Sequence, residues 1–585
     1  MTGPAKRFFF GRALRSENIH STLLPKRIAL PVFASDALSS NAYATQEILL
    51  MLSVGGFALY AFTPWIAIGV IVVFFTVVAS YRQNVRAYPS GGGDYEVVST
   101  NLGERAGVFV ASALMVDYVL TVAVSISSAV ANISSILPSF GKSGVLLAIG
   151  LIVIVTLMNL RGVRESGTAF AIPTYGFILG IIAMVGWGIW QISHGNQIQA
   201  ESANWEIQAE TTATGVFLIF VLARAFSSGT TALTGIEAIA NGVPAFRKPK
   251  SKNAATTLLL LGVISMSMFT AITWLAIQTN VKVAEHDSDL IGLPAGETQK
   301  TVIAQVSQAV FADFQPGFFY ISIVTALILV LAANTAFTGF PVLGSLPARA
   351  GYLPRQLHTR GDRLAFSNGI VFLAGAAIIL IIVYDASVSA LIQLYVIGVF
   401  VSFTLSQIGM VKHWNRHLAQ ETDPKARAKM KRSRAVNAFG FCLTGSVLII
   451  VLATKFTNGA YLVVIAMPIL YAIMRSARRH YDRVALELEP AGDEEVPLPS
   501  RVHAIVLVSK IHKPTLRALA YARASRPSTL EGVTVSVDPG DTKAMCADGE
   551  RRGSSVPLKI LDSPYREITR PVVEYVRGLR RASPR

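Results

Sequence analysis

The sequence predicts an all-α polytopic membrane protein of about twelve transmembrane helices, followed by a small cytoplasmic α/β domain. Three observations predict it. Of 585 residues, 52% are hydrophobic and only 15% charged, against roughly 25% charged in a soluble domain. Mean hydropathy is +0.50, which excludes a water-soluble enzyme of this length. The apolar residues fall into runs of about 20, the length that crosses a bilayer, and after residue 476 the pattern changes to short strands and helices.

The runs lie at 28–54, 57–80, 107–133, 143–160, 168–191, 214–242, 256–278, 316–345, 367–384, 388–411, 437–454 and 459–475. They divide the chain into a short N-terminal segment (1–27), a membrane domain (28–475) and a tail (476–585). A formal charge of +17 would suggest nucleic acid in a soluble protein. Here the basic residues sit between apolar runs, where they set orientation instead. With the N-terminus inside, Arg247, Lys248, Lys250 and Lys252 and the cluster Lys425, Arg427, Lys429, Lys431, Arg432 and Arg434 are inside as well. The long outside loops, 192–213 and 279–315, hold only Lys282 and Lys300. Both termini are therefore expected in the cytoplasm of a cell-membrane protein. Cys442 and Cys546 are the only cysteines, so no disulfide framework is in play. No cleavable apolar segment directly follows Lys6, Arg7, Arg12 and Arg15, so a signal peptide is not expected.

Two spans are too polar for plain membrane helices. The first reads Phe33-Ala34-Ser35-Asp36-Ala37-Leu38-Ser39-Ser40-Asn41-Ala42-Tyr43, and the sixth Phe226-Ser227-Ser228-Gly229-Thr230-Thr231-Ala232-Leu233-Thr234-Gly235-Ile236-Glu237. They begin five spans apart. A polar, interrupted first helix in each of two five-span halves is the mark of a 5+5 inverted repeat, with the binding site at the breaks. In the tail, strand patterns at 503–508, 530–537 and 556–561 alternate with helical ones at 513–524 and near 567–580. That alternation predicts a small parallel sheet. It has about three strands, fewer than most sheets contain, so the domain reads as incomplete.

Ionisable residues inside spans mark pathways. They are Asp36 and Glu47 in the first run, Asp117 in the third, and Arg224 and Glu237 in the sixth. Glu47 lies near the outer end of its run, where a water-facing role is equally open, and Arg224 reads as the neutraliser of an acid. All nine histidines fall outside the runs, which supports neither a metal cage nor a hydrolase triad, and no phosphate-cradling glycine loop precedes a helix. Asp36 and Tyr43 share one face if the helix is continuous between them. Tyr118, Thr121 and Ser125 form one oxygen-bearing stripe at i, i+3 and i+7, and Thr234 and Glu237 are i, i+3. Taken singly, such hydroxyls are packing glue between helices. Three stripes on spans predicted to meet favour a site. Asp117 points about 100° away from its stripe. Carboxylates, phenols and hydroxyls suit a desolvated monovalent cation. The alternative cargo is an amino acid, whose carboxylate such transporters meet with exposed amides at the first-span break. This first span has no glycine from Lys26 through Val54 and carries Asp36 there instead.

Ser35 through Thr45, Ala232 through Gly242 and Leu394 through Gln407 resemble the KimA-type potassium–proton symporters of the amino acid–polyamine–organocation superfamily. The resemblance covers about residues 25 to 475 and continues weakly into the tail; Tyr88-Pro89-Ser90-Gly91-Gly92-Gly93-Asp94-Tyr95 is similar to the superfamily's loop after the second span. It implies a LeuT-type fold and secondary transport, not an enzyme and not a nucleic-acid binder. Asp36 and Tyr43 would be the gate and first potassium ligands, with Tyr118, Thr121, Ser125, Thr234, Glu237 and Tyr395 completing the set. Without it, Tyr395 reads as an interfacial or packing aromatic. Asp36 or Glu237, with Asp117 as a further candidate, would carry the proton. The tail would resemble universal stress proteins, help form a homodimer and mediate inhibition by cyclic di-AMP. It shows no Gly-x-x-Gly nucleotide loop. Two rivals remain: an amino-acid permease on the same scaffold, and a membrane-tethered sensor that no longer transports.

Overall fold

Backbone at bilayer depth must satisfy its own polar groups, so long apolar runs become helices. The computed structural model describes residues 23–137, 143–160, 167–209, 214–294, 297–354, 357, 367–488, 502–536, 539–551, 556–563 and 568–579. Lys6, Arg7, Arg12 and Arg15 lie outside the described residues. The chain divides into two units, Met1–Glu487 and Leu488–Arg585. The first runs α1 (Lys26–Ser39), α2 (Asn41–Ser53), α3 (Thr63–Ala87), α4 (Gly93–Leu102), α5 (Glu104–Ile136), α6 (Gly144–Leu160), α7 (Gly167–Ser193), β1 (Glu206–Ile207), α8 (Gly215–Gly229), α9 (Glu237–Asn241), α10 (Lys250–Gln278), β2 (Leu290–Ile291), α11 (Val302–Val310), α12 (Gln315–Arg349), α13 (Ser367–Val383), α14 (Val388–Leu394), α15 (Ile397–Gln420), α16 (Pro424–Lys455) and α17 (Ala460–Glu487).

Among the described residues nine helical segments are long and apolar enough to cross a membrane. α6 and α13 are apolar and shorter, 17 residues each, and the first run is split at Ser40. α5 is the central pillar: its apolar window is 83% buried, against 22% for α17 at the periphery. Trp65, Leu146, Ile172 and Val216 are exposed on the outer faces, as a lipid-facing belt requires.

Among the described residues three helices are broken. α1 ends at Ser39 and α2 starts at Asn41, with Ser39 and Ser40 hydroxyls donating to the Asp36 carbonyl at 2.8 and 3.1 Å. α8 gives way to a single 3-10 turn at Thr230–Leu233 and then to Gly235 at φ +83°. A Cβ on Gly235 would lie 2.7 Å from Ala37 N and 2.8 Å from Asp36 Cβ, so the two breaks touch through a residue that has to be glycine. The third break separates α14 from α15. Tyr395 is extended there and Val396 holds φ +87°, a costly conformation for a β-branched residue. In a continuous helix the Ile392 carbonyl would accept from Val396 N. Lys455, fully buried at the end of α16, donates its Nζ to that carbonyl at 3.0 Å instead.

The connections hold structure that periodicity in the sequence does not show. β1 pairs antiparallel with β2, matching Glu206 to Ile291, so the two long loops are stitched together. The amphipathic α11 buries Val302, Val306 and Val310 beside them. In the second unit, β3 (His503–Leu507), α18 (Lys513–Ala524), β4 (Thr529–Ser536), α19 (Pro539–Arg551), β5 (Leu558–Asp562) and α20 (Thr569–Gly578) alternate. The strands form a parallel sheet in the order β3-β4-β5, with His503 opposite Thr529 and Gly532 opposite Leu558. The expected strands and flanking helices are present, and α19 is an additional helix between β4 and β5.

Lys455 tests how much the third break depends on charge. It lies within electrostatic reach of Glu47 and Arg224, and Glu47, fully buried, accepts from Ser389 Oγ at 3.2 Å. Truncating one member of such a buried set costs on the order of 3–5 kcal/mol. Lys455→Ala is therefore expected to lower the thermal unfolding midpoint in detergent, and the Glu47→Gln/Lys455→Met pair to recover part of the loss, the Ile392 carbonyl staying unpaired. A Lys455→Ala protein as stable as the wild type would contradict this account.

Candidate functional site

The breaks in α1/α2 and α8/α9 meet at a hydroxyl hub. Ser40 Oγ lies 2.9 Å from the Tyr43 hydroxyl and 3.0 Å from Thr234 Oγ1. Thr234 Oγ1 also donates to the Thr231 carbonyl at 3.0 Å. The interruption at Ser40 is slight, since Ser40 keeps right-handed helical angles and Ala44 N still donates to its carbonyl at 2.9 Å. Asp36 is among the charges that act on Tyr43. Asn41 Nδ2 anchors α2 on Ser265 Oγ of α10 at 3.0 Å, and Thr45 meets Thr273 Oγ1 at 2.9 Å.

α5 brings its stripe to the same place. The Thr121 hydroxyl lies 2.9 Å from that of Tyr395, so the extended residue at the third break is turned into the cluster. Tyr118 OH accepts from Asn241 Nδ2 of α9 at 3.2 Å. Ser125 is buried on the same face but makes no cross-helix hydrogen bond among the described residues. Asp117, off the stripe, is buried where α15 begins: a Cβ on Gly398 would lie 3.1 Å from Asp117 Cβ.

The electrostatics set this cluster apart. Asp36, Asp117 and Glu237 are 2–3% exposed, and the three act on one another. Each has an oxygen with no hydrogen-bonding partner: Asp36 Oδ1, Asp117 Oδ1 and Glu237 Oε2. Among the described residues no basic side chain is recorded as acting on them. Buried like charges repel one another, so a cation or protons would relieve this cluster. Hydroxyls from Tyr43, Thr121, Thr234 and Tyr395 supply neutral oxygen around them. No group of histidine, cysteine and acidic residues suited to a tightly held metal ion occurs among the described residues.

Arg224 does neutralise an acid, one away from the centre: it pairs with Glu285 at 3.2 Å. One sequence reading changes. Glu47 is not water-facing but fully buried. Ser40 and Asn241 escaped the sequence reading because a lone serine or asparagine carries no periodic signal. Lys455 escaped because it falls one residue past its apolar run. Its only legible signal was a lysine where a basic end belongs on the other side.

Known proteins match along nearly the whole length. The family model described as "Amino acid permease" matches residues 30–474, and that described as "KimA potassium transporter C-terminal domain" matches residues 501–585. The "Potassium transporter KimA" of Bacillus subtilis (strain 168) is 37% identical over 573 residues, covering 98% of this chain and 89% of that protein. Together with the apolar helices, these matches make the chain a multi-pass membrane transporter and not an enzyme. It belongs to the amino acid permease family, as a KimA-type member carrying that transporter's C-terminal domain.

Proposed function

We propose that the chain carries potassium inward across the cell membrane together with a proton. One observation carries the reading: three mutually repelling buried carboxyls, each with an unpartnered oxygen, stand among hydroxyls at the helix breaks, and among the described residues no basic side chain acts on them. A monovalent cation exchanging its hydration for these oxygens satisfies both the charge and the open lone pairs. Asp36, Tyr43, Tyr118, Thr121, Ser125, Thr234, Glu237 and Tyr395 are its proposed ligands, and Asp36, Asp117 and Glu237 the proposed proton carriers. Cation and proton draw on the same carboxylates, so binding of one changes the affinity for the other. The relative's printed name, a potassium transporter, points the same way.

A zwitterionic amino acid fits less well. Its carboxylate would approach Asp36 at the very break where such transporters offer amides.

The proposal extends to the frame around the site: twelve spans, a LeuT-type 5+5 repeat beginning with α1/α2 and α8/α9, and both termini in the cytoplasm. The transporter domain is taken as 28–475 and the tail as 476–585, the point where apolar composition gives out, although α17 runs on to Glu487. The tail is proposed to be universal-stress-protein-like and to serve dimerisation and inhibition by cyclic di-AMP. In support, a cavity of about 730 Å³ at the carboxyl ends of β3 and β4 is lined by Lys510, Thr542 and Arg551, the place where open α/β sheets take ligands.

Purified protein in liposomes is expected to take up radioactive rubidium under an inward proton gradient, and Asp36→Ala to abolish that uptake while still inserting. Normal rubidium flux in the mutant would refute the assignment, and uptake of labelled amino acids with none of rubidium would favour the permease. Tyr395→Phe removes one hydroxyl worth about 1 kcal/mol, which is about fivefold in apparent rubidium affinity; an unchanged half-saturating concentration would remove Tyr395 from the site. Gly235→Ala forces a methyl against Asp36 and is expected to lower uptake by about tenfold or more, measured in protein that elutes as the wild type does from a sizing column. Full uptake would mean that the contact of the two breaks does not matter.

A further inference from the structure

One buried carboxyl beside the cation site has no part in the reading above. Asp94 opens α4, just after the three glycines at 91–93, and is 1% exposed. Its Oδ2 accepts from the Tyr81 hydroxyl of α3 and, at 2.6 Å, from Ser402 Oγ of α15. Its Oδ1 has no partner. As a mere clamp between α3, α4 and α15 an aspartate is a poor choice. Asparagine would accept the same two hydroxyls without burying a carboxylate.

Its position suggests why an acid stands there. Neighbouring Gly93 packs so tightly on α9 that a Cβ would fall 2.0 Å from Asn241 Oδ1. Asn241 lies one turn from Glu237 on that helix and donates to Tyr118. The titratable groups that face Asp94 are Tyr81 of α3 and Glu237 of α9. From α5 comes Tyr118, which acts on Tyr81, while α15 offers only the hydroxyls of Ser402 and Ser406. Asp94 thus stands between the central chamber and the end of the bundle where Arg86 closes α3 and Lys250 opens α10.

We propose that Asp94 is a proton relay between the cation site and the water at that end. The inference rests on the proton-coupled reading. The Tyr81 hydroxyl gives its proton to the Asp94 carboxylate and takes another from the central chamber. Tyr81 ends as it began, and Asp94 becomes a neutral acid. Asp94 then passes the proton to water and is a carboxylate again. Buried acids in series are the usual means by which membrane transporters move protons.

The test separates proton movement from cation movement, using full-length protein in liposomes and radioactive rubidium. Accumulation driven by an inward proton gradient is compared with rubidium–rubidium exchange at equal pH, which needs no net proton transfer. Asp94→Asn is expected to keep exchange within about twofold of the wild type and to lose about tenfold or more of the driven accumulation. Tyr81→Phe, which keeps the carboxylate and removes its donor, is expected to shift the same ratio in the same direction. Asp94→Asn that accumulates rubidium as the wild type does overturns the relay. Loss of exchange and accumulation together, with Tyr81→Phe unaffected, also overturns it and leaves Asp94 as packing. A wild type that exchanges rubidium yet ignores the gradient refutes proton coupling itself, and the relay with it.

Discussion

A helix may stop at bilayer depth only where the backbone groups it releases find other partners, and the first unit is organised around three such stops. At Ser40 the hydroxyls of Ser39 and Ser40 fold back on the Asp36 carbonyl. At Gly235 the backbone turns through a left-handed conformation in contact with Asp36. At Val396 a lysine from another helix takes the place of the missing amide. The side chains that repair the breaks, or lie beside them, are largely those that form the polar centre. Breaking the helices and building the site are one structural act.

Charge is segregated in the same economical way. The unit has basic side chains at its disposal, yet Arg224 pairs with Glu285 and Lys455 lies within reach of Glu47. These four amount to two positive and two negative charges away from the centre. Among the described residues Asp36, Asp117 and Glu237 have no such compensation. A protein that needed three buried acids only for packing would have been more stable with hydrophobic residues in their place. That deficit of positive charge is the ground for proposing that the centre takes a cation from outside the chain.

Much of this was legible in the sequence, for identifiable reasons. Long apolar runs and basic asymmetry announce membrane helices, because hydrocarbon tolerates little else. Hydroxyls and acids crowded at 33–43 and 226–237 gave away two breaks, since polar residues at that depth are costly unless they line a cavity. The stripe Tyr118–Thr121 was visible as helical spacing, and its meeting with Tyr395 is seen in the structure. What stayed hidden depends on contacts distant in sequence. The third break follows no glycine or proline, and the lysine that binds its freed carbonyl, Lys455, lies 63 positions away. Asp94 looked like part of a turn, and only the packing of α4 against α3 and α15 shows it to be buried.

The third break also joins the two charge systems. Lys455 fixes the Ile392 carbonyl at the end of α14, and Tyr395 follows within one helical turn, its hydroxyl placed beside Thr121. α2 carries both Tyr43, bonded into the central hub, and Glu47, bonded to Ser389 of α14. Any movement of α2 that separates Glu47 from α14 therefore acts on two central hydroxyls, Tyr43 directly and Tyr395 through the end of α14. Coupling of this kind needs a contiguous element with two arrangements. The short half-helix is held at one end by a single lysine and at the other by Ser387 capping Ala390 N.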